Sequence, residues 1–236
     1  MFALRNTCVA LILALTLIGV VVFLTNFPGF QLKMIQVEGN QKVSYSDILH
    51  LCSFKLGDNL FRIDTGKFKK QTLCEPRIEY VYVKRKLPCR IVLRVKEKKP
   101  CLAINLDHVY GLTHNGEIIP MDENLNLPVI SGIEVGKTKL YHKLENERVS
   151  LALSLRNLLI AVDKDMLDLI SEIDLKQKSD VNLYLVPNGT RISLGWGDFE
   201  NKLARLSLVL KEEKALDGID YIDLRFKNQA VVRRFE

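Results

Sequence analysis

The chain has 236 residues and a formal net charge of +6, carried unevenly: residues 33–100 hold 16 Lys and Arg against 7 Asp and Glu, residues 101–236 hold 17 against 21. Five cysteines and four histidines are scattered without a zinc-ligand spacing, a Walker loop, a dinucleotide fingerprint or a hydrolase signature, which argues against a metal centre and the common catalytic classes. The length suits one large domain, or two of roughly 70 and 130 residues behind an anchor.

Residues 6–32 contain no charged side chain. The apolar run at 8–24 is long enough to cross the ~30 Å hydrocarbon core of a bilayer as a helix. A cleaved signal peptide would have a shorter apolar region and end in small residues. Here the run is followed by Phe27-Pro28-Gly29-Phe30, so the segment is read as an uncleaved anchor. Arg5 and the amino terminus precede it, which by the positive-inside tendency leaves a tail of residues 1–6 in the cytoplasm, an anchor at 7–27 and the bulk of the chain outside. A chain so oriented has the bilayer as a partner and no access to nucleic acid. Cys8 falls inside the span. Cys52, Cys74, Cys89 and Cys101 face a compartment where disulfides persist, and sequence does not choose among the three pairings, or none.

After the anchor, residues 32–38 form a strand closed by the turn Gly39-Asn40. Ser44-x-x-Asp47 starts a helix with Ile48, Leu49 and Leu51 on its apolar face. A second helix begins near Asp64, shows Phe68 and Leu73 among lysines, and stops before Pro76. Two alternating strands follow. Ile78, Tyr80 and Tyr82 are expected on one face of the first; Ile91, Leu93 and Val95 on one face of the second, with Arg90, Arg94 and Lys96 opposite. The turn between them is Leu87-Pro88. The order is β-α-α-β-β. A solvated sheet face accounts for the basic charge of this half as simply as a resting place on anionic headgroups does.

The remainder predicts short strands at 101–106, 116–119 and 128–130, and a helix at 145–162 with Leu151, Leu155, Leu158, Leu159 and Val162 inward. Strands follow at 172–175, 181–186 and 190–194, the last two joined by Asn188-Gly189. A helix at 198–216 buries Phe199, Leu203, Leu206 and Leu210, and strands at 219–226 and 230–235 close the chain. Asp198 is expected as the N-cap of that helix. Trp196, on a Gly-flanked turn, is either an interface anchor or core.

Five segments in this order resemble the bacterial cell-division family FtsQ/DivIB. They are Val37-Glu38-Gly39-Asn40, Asn59-Leu60-Phe61-Arg62-Ile63-Asp64, the hairpin from Pro76 through Val83-Lys84-Arg85-Lys86-Leu87-Pro88, Gly195-Trp196-Gly197-Asp198 with Lys202-Leu203-Ala204-Arg205-Leu206, and Ile222-Asp223-Leu224-Arg225-Phe226. The β-α-α-β-β unit is similar to a polypeptide-transport-associated (POTRA) module. The resemblance implies an α+β protein: a single N-terminal transmembrane helix, a POTRA domain at 31–99 and a larger mixed α/β domain at 100–236 with a mainly antiparallel sheet. It implies a scaffold without catalytic residues, cofactor or metal, in the cytoplasmic (inner) membrane. Its implied partners are FtsB/DivIC-like and FtsL-like bitopic coiled-coil proteins and other divisome proteins, which it would link to septal wall synthesis.

The family's partner segment adds to the edge of the last strands. That places Arg225, Phe226, Asn228, Gln229, Ala230, Val231 and Val232 at the partner-binding site, with Arg225 offering a bidentate bond to an acidic partner. Phe stands at 226 where the family has Tyr, and alternation with Ile222 and Leu224 equally allows it to be core. The family's longer cytoplasmic tail is absent before Asn6, and the sequence ending at Glu236 leaves the last strand's edge without an obvious cover. One alternative is a POTRA-bearing component of a secretion or envelope-assembly machine, which would carry several such repeats and a long barrel. Another is a cell-wall hydrolase built on Asp163, Asp165 and Asp168, an acidic stretch more simply read as a solvated helix boundary.

Overall fold

The computed structural model describes residues 2–121, 125–136, 139–177, 179–212 and 218–235, and divides into two units, Met1–Lys98 and Lys99–Glu236. In the first, α1 (Phe2–Asn26) presents Leu11, Leu13, Leu15 and Leu17 outward, with none of its apolar window buried among the described residues. Such a helix is satisfied internally in its backbone and needs an apolar solvent for its side chains, which is what a bilayer supplies. The side chains of Arg5 and Cys8 lie outside the described residues.

The POTRA-type module follows as β1 (Met34–Glu38), α2 (Tyr45–His50), α3 (Thr65–Thr72), β2 (Ile78–Lys86) and β3 (Arg90–Glu97). Its sheet order is β1-β3-β2, with β1 parallel and β2 antiparallel to the central β3. Both helices start as their sequences require. Ser44 Oγ accepts from the Asp47 N–H at 3.0 Å, and Asp64 Oδ1 accepts from Gly66 and Lys67. Phe68, Ile48 and Leu60 pack on Ile91, Leu93 and Val95, so the predicted inner face of β3 is the one observed. Leu73 is instead exposed beyond the end of α3.

The prediction for β2 fails by one residue. Ile78 pairs with Glu97 but Tyr80 pairs with Lys96, so a bulge at Glu79 reverses the alternation. Ile78 and Val81 point inward, while Tyr80 and Tyr82 stand in solvent.

Arg85 and Glu97 hold this domain's loops by hydrogen bonds across long sequence gaps, and Gly39 permits a close turn. Arg85 donates to the carbonyls of Leu60 (2.9 Å) and Ile63 (2.7 Å), pinning the loop that leads into α3 to the hairpin. Gly39 has φ +87°, and a Cβ there would lie 2.4 Å from the Val95 carbonyl, so the turn after β1 admits only glycine. The buried Glu97 carboxylate accepts the N–H groups of Gln41, Lys42 and Val43 at 2.7–3.0 Å. Burial opposes its ionisation, but these three N–H donors outweigh it and hold its pKa below the usual range. Glu97→Ala should therefore cost about 2 kcal/mol, since the Val43 N–H becomes a buried donor without an acceptor. Hydrogen exchange should show it as early loss of protection at Val43.

The second unit adds β4 (Leu102–Asn105), β5 (Val109–Leu112), β6 (Ile118–Pro120), β7 (Val129–Ser131), α4 (Glu147–Val162), β8 (Ile170–Gln177), β9 (Asp180–Leu185), β10 (Arg191–Gly195), α5 (Phe199–Glu212), β11 (Ile219–Asp223) and β12 (Val231–Arg234). They form one nine-stranded sheet, β12-β11-β10-β9-β8-β7-β4-β5-β6, mostly antiparallel, with parallel pairs at β11/β10, β8/β7 and β7/β4. Register aligns one apolar row across it: Ile104, Ile130, Ile173, Leu183, Ile192, Ile222 and Val232. Leu155 and Leu159 of α4 and Leu203 and Leu206 of α5 belong to the same core. Leu151, Leu158, Val162, Phe199 and Leu210 are only half-buried at its margin, and Val149 and Ala152 are buried in their place. Strand β5, with Gly111 at its centre, had no expectation. The predicted stretch of α5 at 213–216 lies outside the described residues, as does Glu236.

Cys52, Cys74, Cys89 and Cys101 are thiols, and burial pushes Cys52 up to about 11, so it is neutral at physiological pH.

Candidate partner-binding edge

The two edges of the nine-stranded sheet are treated differently by the chain. Beyond β6, residues 141–144 cover the strand: Tyr141 N–H donates to Ile118 O (2.6 Å), Ile118 N–H to His142 O (3.1 Å) and Leu144 N–H to Gly116 O (2.8 Å). Beyond β12, no strand pairs among the described residues. An unpaired strand is a template for another chain. Phe235 N–H donates inward to Gly218 O (2.8 Å), and because N–H directions alternate along a strand, Val232 N–H points outward. Arg233 and Arg234 on the same strand discourage self-association; Arg233 Nε donates to Asp220 at 2.9 Å, and its guanidinium lies over the Tyr221 ring.

The turn from β11 to β12 holds the remaining expected site residues. Here two expectations need correction. Strand β11 ends at Asp223, not at 226, because the Asp223 carboxylate accepts the Arg225 backbone N–H (2.9 Å) and bends the chain. Alternation therefore stops after Leu224, and Phe226 is 53% exposed instead of sharing the buried face of Ile222 and Leu224.

Arg225 is also engaged at home. Its Nε reaches Asp223 Oδ1 at 3.0 Å, its Nη2 reaches Oδ2 at 2.7 Å, and Nη2 also donates to the Tyr221 hydroxyl at 3.1 Å. The bidentate capacity expected for a partner is spent on Asp223, which Arg225 holds well below the usual carboxylate range, with Tyr221 O–H adding to the effect. Arg225 lies across Gly195, where φ is +64° and a Cβ would sit 2.9 Å from Arg225 Cγ. That approach explains why glycine and arginine occur in two separate motifs.

Asn228, at φ +58°, forms the tip of the turn; Gln229 is exposed, Ala230 half-buried, Val231 45% exposed and Val232 half-buried against the core.

Two cations on α5 hold this region together, and neither role was visible in the sequence. Arg205 donates to the carbonyls of Phe226 (2.9 Å), Gln229 (2.6 Å) and Leu224 (3.3 Å), clamping the whole turn. Lys202 is buried and donates to the carbonyls of Leu194 (2.8 Å) and Trp196 (3.0 Å), and burial draws its pKa down. A periodic Lys-x-x-Arg on a helix looks like a solvated stripe; only the carbonyl-rich turns that it meets reveal the difference. Asp198 has φ +50° and accepts from the Asn201 side chain (2.5 Å), so it shapes the turn without capping α5 in the expected way. Trp196 is 58% exposed, edge-on to Phe199.

An apolar N-terminal helix long enough to cross a membrane, a POTRA-type domain and a nine-stranded sheet domain whose β12 has no further strand beside it among the described residues have the architecture of a single-pass membrane protein. Residues 30–98 match the FtsQ-type POTRA domain, and residues 103–225 match the C-terminal domain of cell division protein FtsQ/DivIB. The chain is 28% identical over 233 residues to cell division protein FtsQ of Syntrophotalea carbinolica, covering 94% of this chain and 83% of that one. It is 27% identical to cell division protein DivIB of Clostridium acetobutylicum, covering 86% and 83%, and 30% identical to FtsQ of Myxococcus fulvus, covering 78% and 66%. The chain belongs to the FtsQ/DivIB family of cell division proteins.

Proposed function

We propose that this protein is a non-catalytic scaffold of the divisome, anchored at 7–27 with its tail in the cytoplasm and its domains at 31–99 and 100–236 outside the cytoplasmic membrane. Its distal domain captures an extended segment of FtsB/DivIC-like and FtsL-like bitopic proteins and so links them to septal wall synthesis. The observation that supports this reading is that no further strand pairs with β12 among the described residues, beside an exposed Phe226, while the opposite edge of the same sheet is covered. Main-chain bonds to an added strand supply affinity, and side chains on alternate positions supply selectivity. An apolar partner residue opposite Val232 would extend the row that already runs from Ile104.

The test is co-purification of the full chain from bacterial membranes in mild detergent, beside Phe226→Ala. Phe226 packs on little of its own domain, so its loss should leave the melting temperature unchanged and reduce recovery of short bitopic coiled-coil proteins about tenfold. Equal recovery by both chains would remove Phe226 from the site; no recovery by either would remove the scaffold reading.

A further inference from the structure

A cavity of about 560 Å³ opens where α1 meets the POTRA domain, within the roughly 300–1,000 Å³ typical of small-ligand sites. Two bonds fix its walls: Asn59 Nδ2 donates to the Leu24 carbonyl (3.1 Å), and Arg62 Nη2 donates to Asn26 Oδ1 (3.0 Å). The domain is thus tied to the last turn of the apolar helix, whose 18 most apolar residues end at Asn26. A chain of rings runs along the same junction, Phe23 to Phe27 to Phe30 to Phe61, at centroid distances of 4.9, 5.6 and 5.1 Å. Phe23, Phe27 and Phe61 are exposed. Aromatic rings at the end of a span sit at the boundary between acyl chains and headgroups. The cavity therefore opens at headgroup depth, and its nearest source of ligand is the lipid itself.

Its charges narrow the choice. Arg62 and Lys67 line it with Asp58 and Asp64; amides and hydroxyls, among them Asn26 and Gln31, supply most of the rest. Two carboxylates in the lining beside two cations disfavour a purely anionic headgroup, because the carboxylates would repel it. They suit a headgroup that carries both signs. The carboxylates are oriented by backbone donors, Asp58 Oδ2 by the Lys55 N–H (2.8 Å) and Asp64 Oδ1 by Gly66 and Lys67. Carboxylates accept hydrogen bonds from a primary ammonium; a quaternary ammonium calls instead for a cage of aromatic faces. The geometry points to a zwitterionic phospholipid of the ethanolamine type as the ligand of this cavity, its phosphate on Arg62 and Lys67 and its ammonium on Asp58 and Asp64.

The experiment is native mass spectrometry of the full chain, delipidated in detergent and titrated separately with phosphatidylethanolamine, phosphatidylglycerol and phosphatidylcholine. Ethanolamine lipid should be retained about tenfold more tightly than either of the others. Lys67→Glu should abolish that margin; Lys67 is exposed and an acid suits the first turn of α3, so the fold is kept. Lys84→Glu, the same charge change on an exposed residue of β2 outside the cavity, should leave it intact. Asp58→Asn keeps an acceptor for Lys55 and should erase the preference for ethanolamine over choline. Equal retention of all three lipids, a preference for the glycerol lipid, or equal loss with Lys84→Glu would overturn the assignment.

Discussion

Val232→Pro is expected to abolish partner capture while leaving the distal domain folded. Proline lacks the outward N–H that Val232 presents at the sheet edge, and its ring occupies the space where an added strand would lie. One lost main-chain bond is worth about 1 kcal/mol, and steric displacement of the neighbouring pairs adds to it, so capture should fall by at least roughly tenfold. The cost to the domain itself is confined to the half-buried Val232 side chain, because edge strands tolerate proline when the missing donor faces solvent. Val231→Pro is the informative counterpart. Val231 pairs with Asp223, and by the same alternation its N–H faces β11. Its replacement should lower the melting temperature by several degrees through the lost ladder bond and the loosened end of β12. Both quantities are read from the same preparations, by thermal denaturation and by the yield of bitopic proteins. If Val232→Pro captures as well as the unmodified chain, the partner does not add to this edge.

The POTRA domain was legible nearly residue by residue because its signals are local. Ser44 and Asp64 cap helices within three residues of themselves, and Ile91, Leu93 and Val95 alternate without interruption. The one failure there, Tyr80 and Tyr82, comes from a bulge at Glu79, and a single inserted residue leaves no compositional trace while it inverts every later side chain. In the distal domain every element but β5 was legible, and the ends of several were not. Alternation through Ile222, Leu224 and Phe226 continues in the sequence, yet the backbone bond from Arg225 to Asp223 stops the strand. The proposed partner edge was inferred from a resemblance; the difference between a β6 covered by residues 141–144 and a β12 with no further strand beside it among the described residues depends on a segment far away in sequence. Lys202 and Arg205 were hidden for a related reason. Their acceptors are carbonyls 6 to 24 residues away in sequence, and every residue has a carbonyl.

Asp223 should prove the most stabilising polar residue of the edge, and its removal should change how the role of Arg225 is tested. The carboxylate is 4% exposed and receives Arg225 through both the guanidinium and the backbone, together with the Tyr221 hydroxyl at 2.6 Å. Asp223→Asn keeps the shape but not the charge, and should cost about 2 kcal/mol, lowering the melting temperature by about 6 °C in a domain of this size. The pH dependence follows from the depressed pKa of Asp223. A carboxylate that is more acidic in the folded state contributes its full stability above the unfolded value, near 4, and loses it as pH falls through that value toward the folded one. The gap between the native chain and Asp223→Asn should therefore be constant from pH 8 to 5 and narrow below about 4. A gap undiminished between pH 5 and pH 2 would mean that the Arg225 ion pair contributes little. Arg225→Glu sets a second carboxylate against Asp223 and strips Gly195 of its covering side chain, so it unsettles β11 as well as any partner contact. Loss of capture with that variant says nothing by itself about binding. Phe226→Ala and Val232→Pro, which leave the Asp223 network whole, are the substitutions that separate contact from fold.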